Sequence, residues 1–167
     1  MRTAIVLTVV LALPGCGRSS ETVVTRSGEP DMISVAADDS AMNAAIERAR
    51  ASLPTFRAAL ASHPAGSDGF AVKVAFSYDK DGGEEHIWLV DPSLAADTVS
   101  GIVNNEPVHA THLKLGQRLT APITDVSDWM YAQNGVLQGG ETIRVLASRM
   151  SPEERRAFVA STGLRLE

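Results

Sequence analysis

The sequence predicts an α+β fold, in which N-terminal helices pack on a small, strongly bent antiparallel β-sheet and C-terminal helices follow it. Two observations indicate this class. Apolar residues recur every three or four positions in both the first and the last part of the chain, whereas they alternate with small or polar residues in the middle. Strands enclosed between two helical regions are typical of α+β domains. A sheet of several short strands could also close towards a barrel.

Two helices are predicted before the sheet. Ser40 is expected to cap the first, and Ser52 the second, which has Pro54 in its first turn. The first helix carries the broadest apolar stripe in this half of the chain, and it should pack on the sheet through Met42, Ile46, Ala49 and Leu53.

A hairpin is predicted next, because bulky and small residues alternate from Phe70 to Tyr78 and Asp81-Gly82 is a two-residue turn signal. With those two residues as the loop, Ser77 would pair with His86 and Ala75 with Trp88. Lys73, Ser77, His86 and Trp88 would then share one face, and the bulky residues the other. Either a helix or a binding partner should cover the Trp88 ring.

Three more strands and two helices complete the predicted domain. The strands are expected over residues 98–103, around Leu119 and over residues 123–130. Gly139-Gly140 precedes a helix that should run to about Met150, and Ser151-Pro152-Glu153-Glu154 begins a last helix that should end near Ala160.

The N-terminus looks like a bacterial lipoprotein signal. Arg2 is followed by an uncharged segment over residues 3–13, and the small residue Gly15 precedes Cys16, the single cysteine. We therefore expect a signal peptide over residues 1–15, acylation of Cys16, a lipidated flexible tether over residues 16–34, and one domain over residues 35–167. A plain secretory peptide with a free thiol is the alternative. Gly17 directly follows Cys16, at the position where an Asp looks like a signal for retention in the inner membrane. Because Asp is not found there, the outer membrane is favoured over the inner one.

Charge and cysteine content exclude several classes. The formal net charge is −5, from 15 basic and 20 acidic residues, and the loss of Arg2 would leave 14 against 20. This balance argues against nucleic-acid binding and against docking of a basic face onto anionic lipid, so the membrane contact would be the anchor on Cys16. A single cysteine allows no internal disulfide.

Several short motifs could carry chemistry. Glu84-Glu85-His86 supplies two carboxylates and an imidazole, but on a strand Glu85 points away from Glu84, His86 and Trp88. His109 and His112 lie three residues apart, which would suit zinc on a helix, yet their surroundings indicate a loop, so no metal site is expected.

Asp128 beside Trp129 could serve a carbohydrate site, or accept backbone N–H bonds at a strand irregularity. Gly139-Gly140 before a helix could cradle an anion, or simply allow a tight turn.

Motifs along the domain together carry a resemblance to a known family. They are Met42-Asn43-x-Ala45-Ile46-x-x-Ala49-Arg50 followed by Phe56, Glu85-His86-Ile87-Trp88, Gly101-x-x-x-Asn105, Leu115-Gly116, Ile123-x-Asp125-x-x-Asp128-Trp129-Met130-Tyr131 and Gly139-Gly140-Glu141-Thr142-Ile143-Arg144. The chain resembles the YegJ-like bacterial proteins, domain of unknown function 2314, over roughly residues 35–158. The resemblance implies a small protein, lipidated in some members, and no assigned reaction or cofactor.

The predicted function is therefore a non-enzymatic binding or structural module of the cell envelope, facing the periplasm and contacting another envelope protein or a peptide. The alternative is a small hydrolase or ligand-binding domain, with carbohydrate as one ligand class, that uses the Glu84, His86 and Trp88 face and Asp128. No cofactor, metal or catalytic residue is assigned. The candidate binding residues are Lys73, Ser77, Glu84, His86, Trp88 and Asp128.

Overall fold

The computed structural model describes residues 22–24, 32–34, 39–78 and 83–167. Cys16, the predicted signal peptide and most of the predicted tether lie outside the described residues. The chain divides into two compact units, residues 1–39 and 40–167. In the first unit, β1 (Thr22–Val24) and β2 (Met32–Ser34) form a two-stranded antiparallel sheet in which Val23 pairs with Ile33. Both strands fall within residues 16–34, the range of the predicted tether.

The second unit contains four helices and a six-stranded sheet. The helices are α1 (Ser40–Ala51), α2 (Leu53–Ser62), α3 (Glu141–Arg149) and α4 (Pro152–Thr162). The strands are β3 (Ser67–Ser77), β4 (Glu84–Leu94), β5 (Thr98–Val103), β6 (Arg118–Pro122), β7 (Val126–Gln133) and β8 (Val136–Gly139).

The sheet has the order β6-β5-β4-β3-β7-β8, and every neighbouring pair is antiparallel. Its ends are β6 and β8, which do not pair with each other, so the sheet does not close into a barrel. This architecture confirms the α+β prediction. No helix within the described part of the chain is long and apolar enough to span a membrane.

The hydrophobic core lies between one face of the sheet and the first two helices. Ala49 of α1 and Phe56 of α2 join Val72, Ile87 and other buried strand residues in one cluster. Met42 and Ala49 are buried, as predicted, but Ile46 is only half-buried and Leu53 belongs to α2. Ser40 is the first helical residue of α1 and so does not precede the helix as a cap.

The second helix begins as predicted but without the expected cap bond. Ser52 precedes α2, yet its hydroxyl makes no capping bond and donates instead to the Arg48 carbonyl at 2.8 Å. The same oxygen accepts a bond from the Trp129 indole at 3.2 Å, and that indole also donates to the Ala49 carbonyl at 2.9 Å. The Ser52 hydroxyl therefore joins α1 to the core.

The predicted hairpin register is wrong by two residues. Ser77 pairs with Glu84, Ala75 with His86 and Lys73 with Trp88, because the Tyr78 N–H donates to the Gly83 carbonyl at 3.0 Å. Asp81 and Gly82, the predicted two-residue loop, lie outside the described residues. Since side chains alternate with a period of two, a shift of two residues leaves every side chain on its predicted face.

The remaining elements follow the predictions with two differences. β5 has its predicted bounds, and Ser151 and Glu154 form the predicted capping box before α4. The strand expected over residues 123–130 begins later, since a short 3-10 helix occupies Ile123–Asp125. β8 was missed, although Asn134-Gly135, with φ of 52° and 76°, is a two-residue hairpin loop of the kind that the sequence displays.

Candidate functional site

Five of the six predicted binding residues lie in three alternate cross-strand pairs of β3 and β4. Lys73 pairs with Trp88, Ala75 with His86 and Ser77 with Glu84. We call these six residues the β3–β4 face. It lies on the side of the sheet away from the core, because the alternate residues Val72, Val74, Ile87 and Leu89 are fully buried in the core cluster.

The sixth predicted residue, Asp128, is brought to the same place by β7. Asp128 pairs with Lys73 on the other side of β3. A β-bulge precedes this pair, since Val126 pairs with Val74 and Ser127 is the extra residue between them. The tertiary structure thus joins residues of β3, β4 and β7, and also Thr142 of α3. We call Lys73, His86, Ser127, Asp128 and Thr142 the polar cluster.

Asp128 acts as the N-terminal cap of α3. Its Oδ1 accepts bonds from the backbone N–H groups of Trp129 and Glu141, at 2.8 and 3.1 Å. Its Oδ2 accepts from the N–H and the hydroxyl of Thr142, at 2.8 and 2.6 Å. The residue before the helix is Gly140, which has no side chain to cap it, so the Asp128 carboxylate supplies the acceptor that a helix N-terminus needs.

These bonds bear on the alternatives that the sequence left open for Asp128 and for Gly139-Gly140. The anion at the N-terminus of α3 is the Asp128 carboxylate itself, and Asp128 accepts backbone N–H bonds at a strand irregularity, as one interpretation expected. Glycines are required at the turn because Gly139 and Gly140 have φ of 67° and 63°. A Cβ at Gly139 would also lie 2.4 Å from the Trp129 carbonyl oxygen.

The Lys73 ammonium is held above the Trp88 ring. Nζ lies 5.3 Å from the ring centroid and donates to the Thr142 hydroxyl at 3.2 Å. Burial lowers the pKa of Lys73, and the negative charge of Asp128 acts in the opposite direction. Burial raises the pKa of Asp128, against the hydrogen bonds from Thr142 and Trp129 and the charge of Lys73. Trp88 is half-buried, so part of its surface remains accessible.

His86 is bonded to the bulge residue. Its Nδ1 lies 2.8 Å from the Ser127 hydroxyl, which is fully buried. Burial, followed by the charges of Lys73 and Arg50, lowers the pKa of His86 to about 4. The imidazole is therefore neutral at pH 7, and it contributes a polar but uncharged surface to the β3–β4 face.

Glu84 and Glu85 have opposite environments, as the strand alternation predicted. Glu84 is exposed and, with Ser77, lines a shallow cavity of about 300 Å³ at the end of the face. Glu85 is buried, and its carboxylate accepts bonds of 2.8 Å from the N–H groups of Val108, His109 and Ala110. Glu85 thus anchors the loop between β5 and β6 to the end of the core.

His109 and His112 lie in that loop and are exposed, as their surroundings predicted. The His109 ring stacks on Tyr78 with a centroid distance of 4.8 Å. Among the described residues, no group of three or more His, Cys, Asp or Glu side chains could hold a metal ion.

Two members of the polar cluster were missed from the sequence. Ser127 belongs to no quoted motif, and Thr142 was quoted only within the family motif that begins at Gly139, without a role in the site. Their roles depend on the bulge in β7 and on the contact between α3 and Asp128. The Asp128-Trp129 pair was the available signal for an irregular strand at this position.

Comparison with known proteins identifies relatives without a known activity. The chain is 33% identical over 117 residues to the "Uncharacterized protein YegJ" of Escherichia coli (strain K12), covering 70% of this chain and 74% of that protein. It is 38% identical over 95 residues to the "Putative ankyrin repeat protein NMB1133/NMB1171" of Neisseria meningitidis serogroup B. That match covers 56% of this chain but only 38% of the Neisseria protein. No solved structure matches.

The family model described as "Uncharacterized protein conserved in bacteria (DUF2314)" matches residues 39–166. This range contains α1 to α4, the whole six-stranded sheet and every residue of the polar cluster. The chain therefore belongs to the YegJ-like DUF2314 family of uncharacterised bacterial proteins.

Proposed function

We propose that this protein is a lipid-anchored envelope protein whose β3–β4 face binds a segment of another envelope protein. The anchor is the acylated Cys16, and the domain faces the periplasm, with the outer membrane favoured. Support for the anchor comes from the signal-like residues 1–15 and the single cysteine. The observation that carries the binding proposal is the half-buried Trp88 beneath the Lys73 ammonium.

An aromatic ring that is fixed in place and partly accessible is typical of a binding hot spot. The Trp88 backbone is held by its N–H, which donates to the Asn105 side chain at 2.9 Å, and the Lys73 ammonium over the ring restrains the side chain. Little conformational entropy would be lost on binding, and a tryptophan buries a large area when a partner covers it. The face is therefore preorganised for contact.

The charges of the face favour a peptide segment with both apolar and acidic groups. Lys73 places a positive charge beside the ring, and His86 contributes a neutral imidazole. A partner side chain that packs on Trp88 while its neighbouring carboxylate approaches Lys73 would match both features. Ser77 and Glu84 are exposed at one end of the face, where a polar rim surrounds the apolar centre.

The hydrolase alternative receives less support from the same geometry. A general acid or base must exchange a proton with its substrate. Asp128 is fully buried and its two oxygens accept four hydrogen bonds, so its carboxylate serves α3. The neutral His86 is bonded to the buried Ser127, and Glu84 lies exposed at the strand end.

Site-specific photocrosslinking in living bacteria tests the binding proposal. A photoreactive amino acid at Ser77, on the β3–β4 face, should yield one discrete adduct with an envelope protein. The same amino acid at Ser148, which is exposed on α3, provides the matched control and should yield none. Trp88→Ala, combined with the Ser77 probe, should abolish the adduct while the protein level and its melting temperature show that the fold survives.

Two outcomes would contradict the proposal. If the Ser77 and Ser148 probes capture the same proteins with equal yield, the contact is not specific to the face. If the adduct persists in a folded Trp88→Ala variant, the ring is not the contact.

The anchor is tested by a separate experiment. Cys16→Ala should move the protein from the membrane fraction to the soluble fraction, and a wild-type protein already soluble without detergent would refute lipidation.

A further inference from the structure

A second site lies where the two central strands of the sheet separate. β3 and β4 pair only as far as Ala71 and Val90, although β3 begins at Ser67 and β4 continues to Leu94. Beyond this pair, β3 continues alongside β7 and β4 alongside β5. The two strands therefore diverge, and we call the gap between them the fork.

Each strand has a β-bulge at the fork. The register between β3 and β7 shifts between Asp68 and Ala71, and the register between β4 and β5 shifts between Val90 and Ser93. Bulges bend a strand and redirect its side chains, and they are over-represented next to functional sites. Two facing bulges in the centre of one sheet open a space that regular pairing would have filled.

The fork contains a cavity of about 450 Å³, which is within the size range of small-molecule sites. Its apolar walls come from Leu60 of α2 and from Phe70, Val90 and Pro92 of the strands. Arg57 holds α2 across the fork, since its guanidinium donates to the carbonyls of Leu94 and Ala95 at 3.3 and 2.8 Å.

Two carboxylates of the cavity have no paired cation among the described residues. Asp68 and Asp91 both line it and are exposed, and neither carboxylate pairs with a cation within the part of the chain that the structure describes. Ser67 also lines the cavity, but its hydroxyl oxygen is itself buried, and it has no hydrogen-bond partner among the described residues.

The backbone is also strained at this cavity. Three non-glycine residues among those described have positive φ, and two of them, His63 at 42° and Asp91 at 47°, line the cavity. Residues held in such conformations cluster at ligand sites, because the surrounding structure must stabilise them. His63 ends α2, and its ring lies 5.1 Å from that of Phe70.

We infer that the fork binds a small organic amine, with the ammonium group between Asp68 and Asp91 and an apolar body against Leu60, Phe70 and Pro92. Two unpaired carboxylates favour a cation, and the apolar walls favour a hydrocarbon or aromatic body. This site is separate from the β3–β4 face and does not depend on the proposed envelope partner.

Titration of the full chain with 2-phenylethylamine, followed by amide NMR, tests the inference. The amide signals of Gly69, Phe70 and Asp91 should shift, with a Kd of about 1 mM for a ligand of this size. Phenylacetate has the same ring with a carboxylate and should cause no shift at these positions. Ethylamine, which lacks the ring, should bind more weakly than 2-phenylethylamine.

Isosteric variants test the role of each carboxylate. Asp68→Asn and Asp91→Asn should each weaken 2-phenylethylamine binding by about fivefold, the upper range for an exposed ion pair. Asn also tolerates the positive φ at position 91, so the fold should persist. Asp97→Asn removes the same charge at an exposed position outside the cavity and should leave the affinity unchanged.

Four results would overturn the inference. Phenylacetate could shift the same amides as strongly as the amine, or Asp97→Asn could weaken binding as much as Asp91→Asn. Alternatively, 2-phenylethylamine could cause no shift up to about 10 mM, well above the expected Kd. A neutral monosaccharide that shifts these amides in place of the amine would also overturn it, and would identify a carbohydrate site.

Discussion

Carboxylates in two regions of this sheet have contrasting roles. At the β7 edge of the β3–β4 face, Asp128 is buried and bonded to the N-terminus of α3, whereas at the fork Asp68 and Asp91 are exposed without a paired cation among the described residues. Residue type does not distinguish them. What differs is whether the fold places several N–H donors around the carboxylate, and this decides whether it stabilises the protein or remains available to a ligand.

The largest effect is expected from Asp128. Asp128→Ala should reduce the free energy of unfolding by about 3–5 kcal/mol, because four donors lose their acceptor and the half-buried Lys73 loses its nearby negative charge. Urea denaturation measures this change. Asp68→Ala is the matched control at the fork and should cost less than about 0.5 kcal/mol. Equal costs at the two positions would refute the contrast.

Adjacent residues of β4 provide a second test. Glu85→Ala should cost about 2–3 kcal/mol, because the N–H groups of residues 108–110 lose a charged acceptor. Glu84→Ala should change stability by less than about 0.5 kcal/mol, since this side chain is exposed. If urea denaturation gives both variants the same stability, Glu85 does not anchor the β5–β6 loop.

An effect of comparable size should appear in the pH dependence of stability. The pKa of His86 is about 4 in the folded protein, below its ordinary value of 6.5. Between these values the unfolded chain binds a proton that the folded protein does not, so stability should fall by up to about 3 kcal/mol as the pH decreases from 6.5 to 4. The pKa of Asp128 is raised above its ordinary value of 3.8, so this carboxyl takes up a proton in the folded protein before it does in the unfolded chain and acts in the opposite direction as the pH falls towards 3.8.

Denaturation at a series of pH values separates this contribution from others. His86→Gln should flatten the profile between pH 6.5 and 4, whereas His112→Gln, at an exposed loop position, should leave it unchanged. A His86→Gln profile that remains parallel to the wild-type profile would show that another group titrates in this window.

The smallest effect concerns the fluorescence of Trp88. Trp129 is 4% exposed and should resist quenching by acrylamide, so the quenched fraction of the emission should come from Trp88. Trp88→Phe should remove that fraction with little change in stability. Emission that resists acrylamide entirely in the wild-type protein would show that Trp88 is shielded, which would exclude the β3–β4 face as a binding surface.

The sequence by itself determined the local features of this protein. Alternation placed Lys73, His86 and Trp88 on one face and the bulky residues on the other, and this partition survived a register error of two residues because strands have a period of two. The Ser151 capping box likewise depends on four adjacent residues. The motifs of the domain also sufficed to identify its family.

Only the tertiary structure decided which distant groups meet. Asp128 caps a helix that begins 13 residues later, and Glu85 holds a loop more than 20 residues away. The fork arises because β3 and β4 each follow a different neighbour beyond Ala71 and Val90. Hydrogen bonds between distant residues depend on how the whole chain packs, and no local pattern encodes them. The sequence therefore suggested that Asp128 accepts backbone N–H bonds, but it showed neither that these bonds cap α3 nor that a cavity lies at the fork.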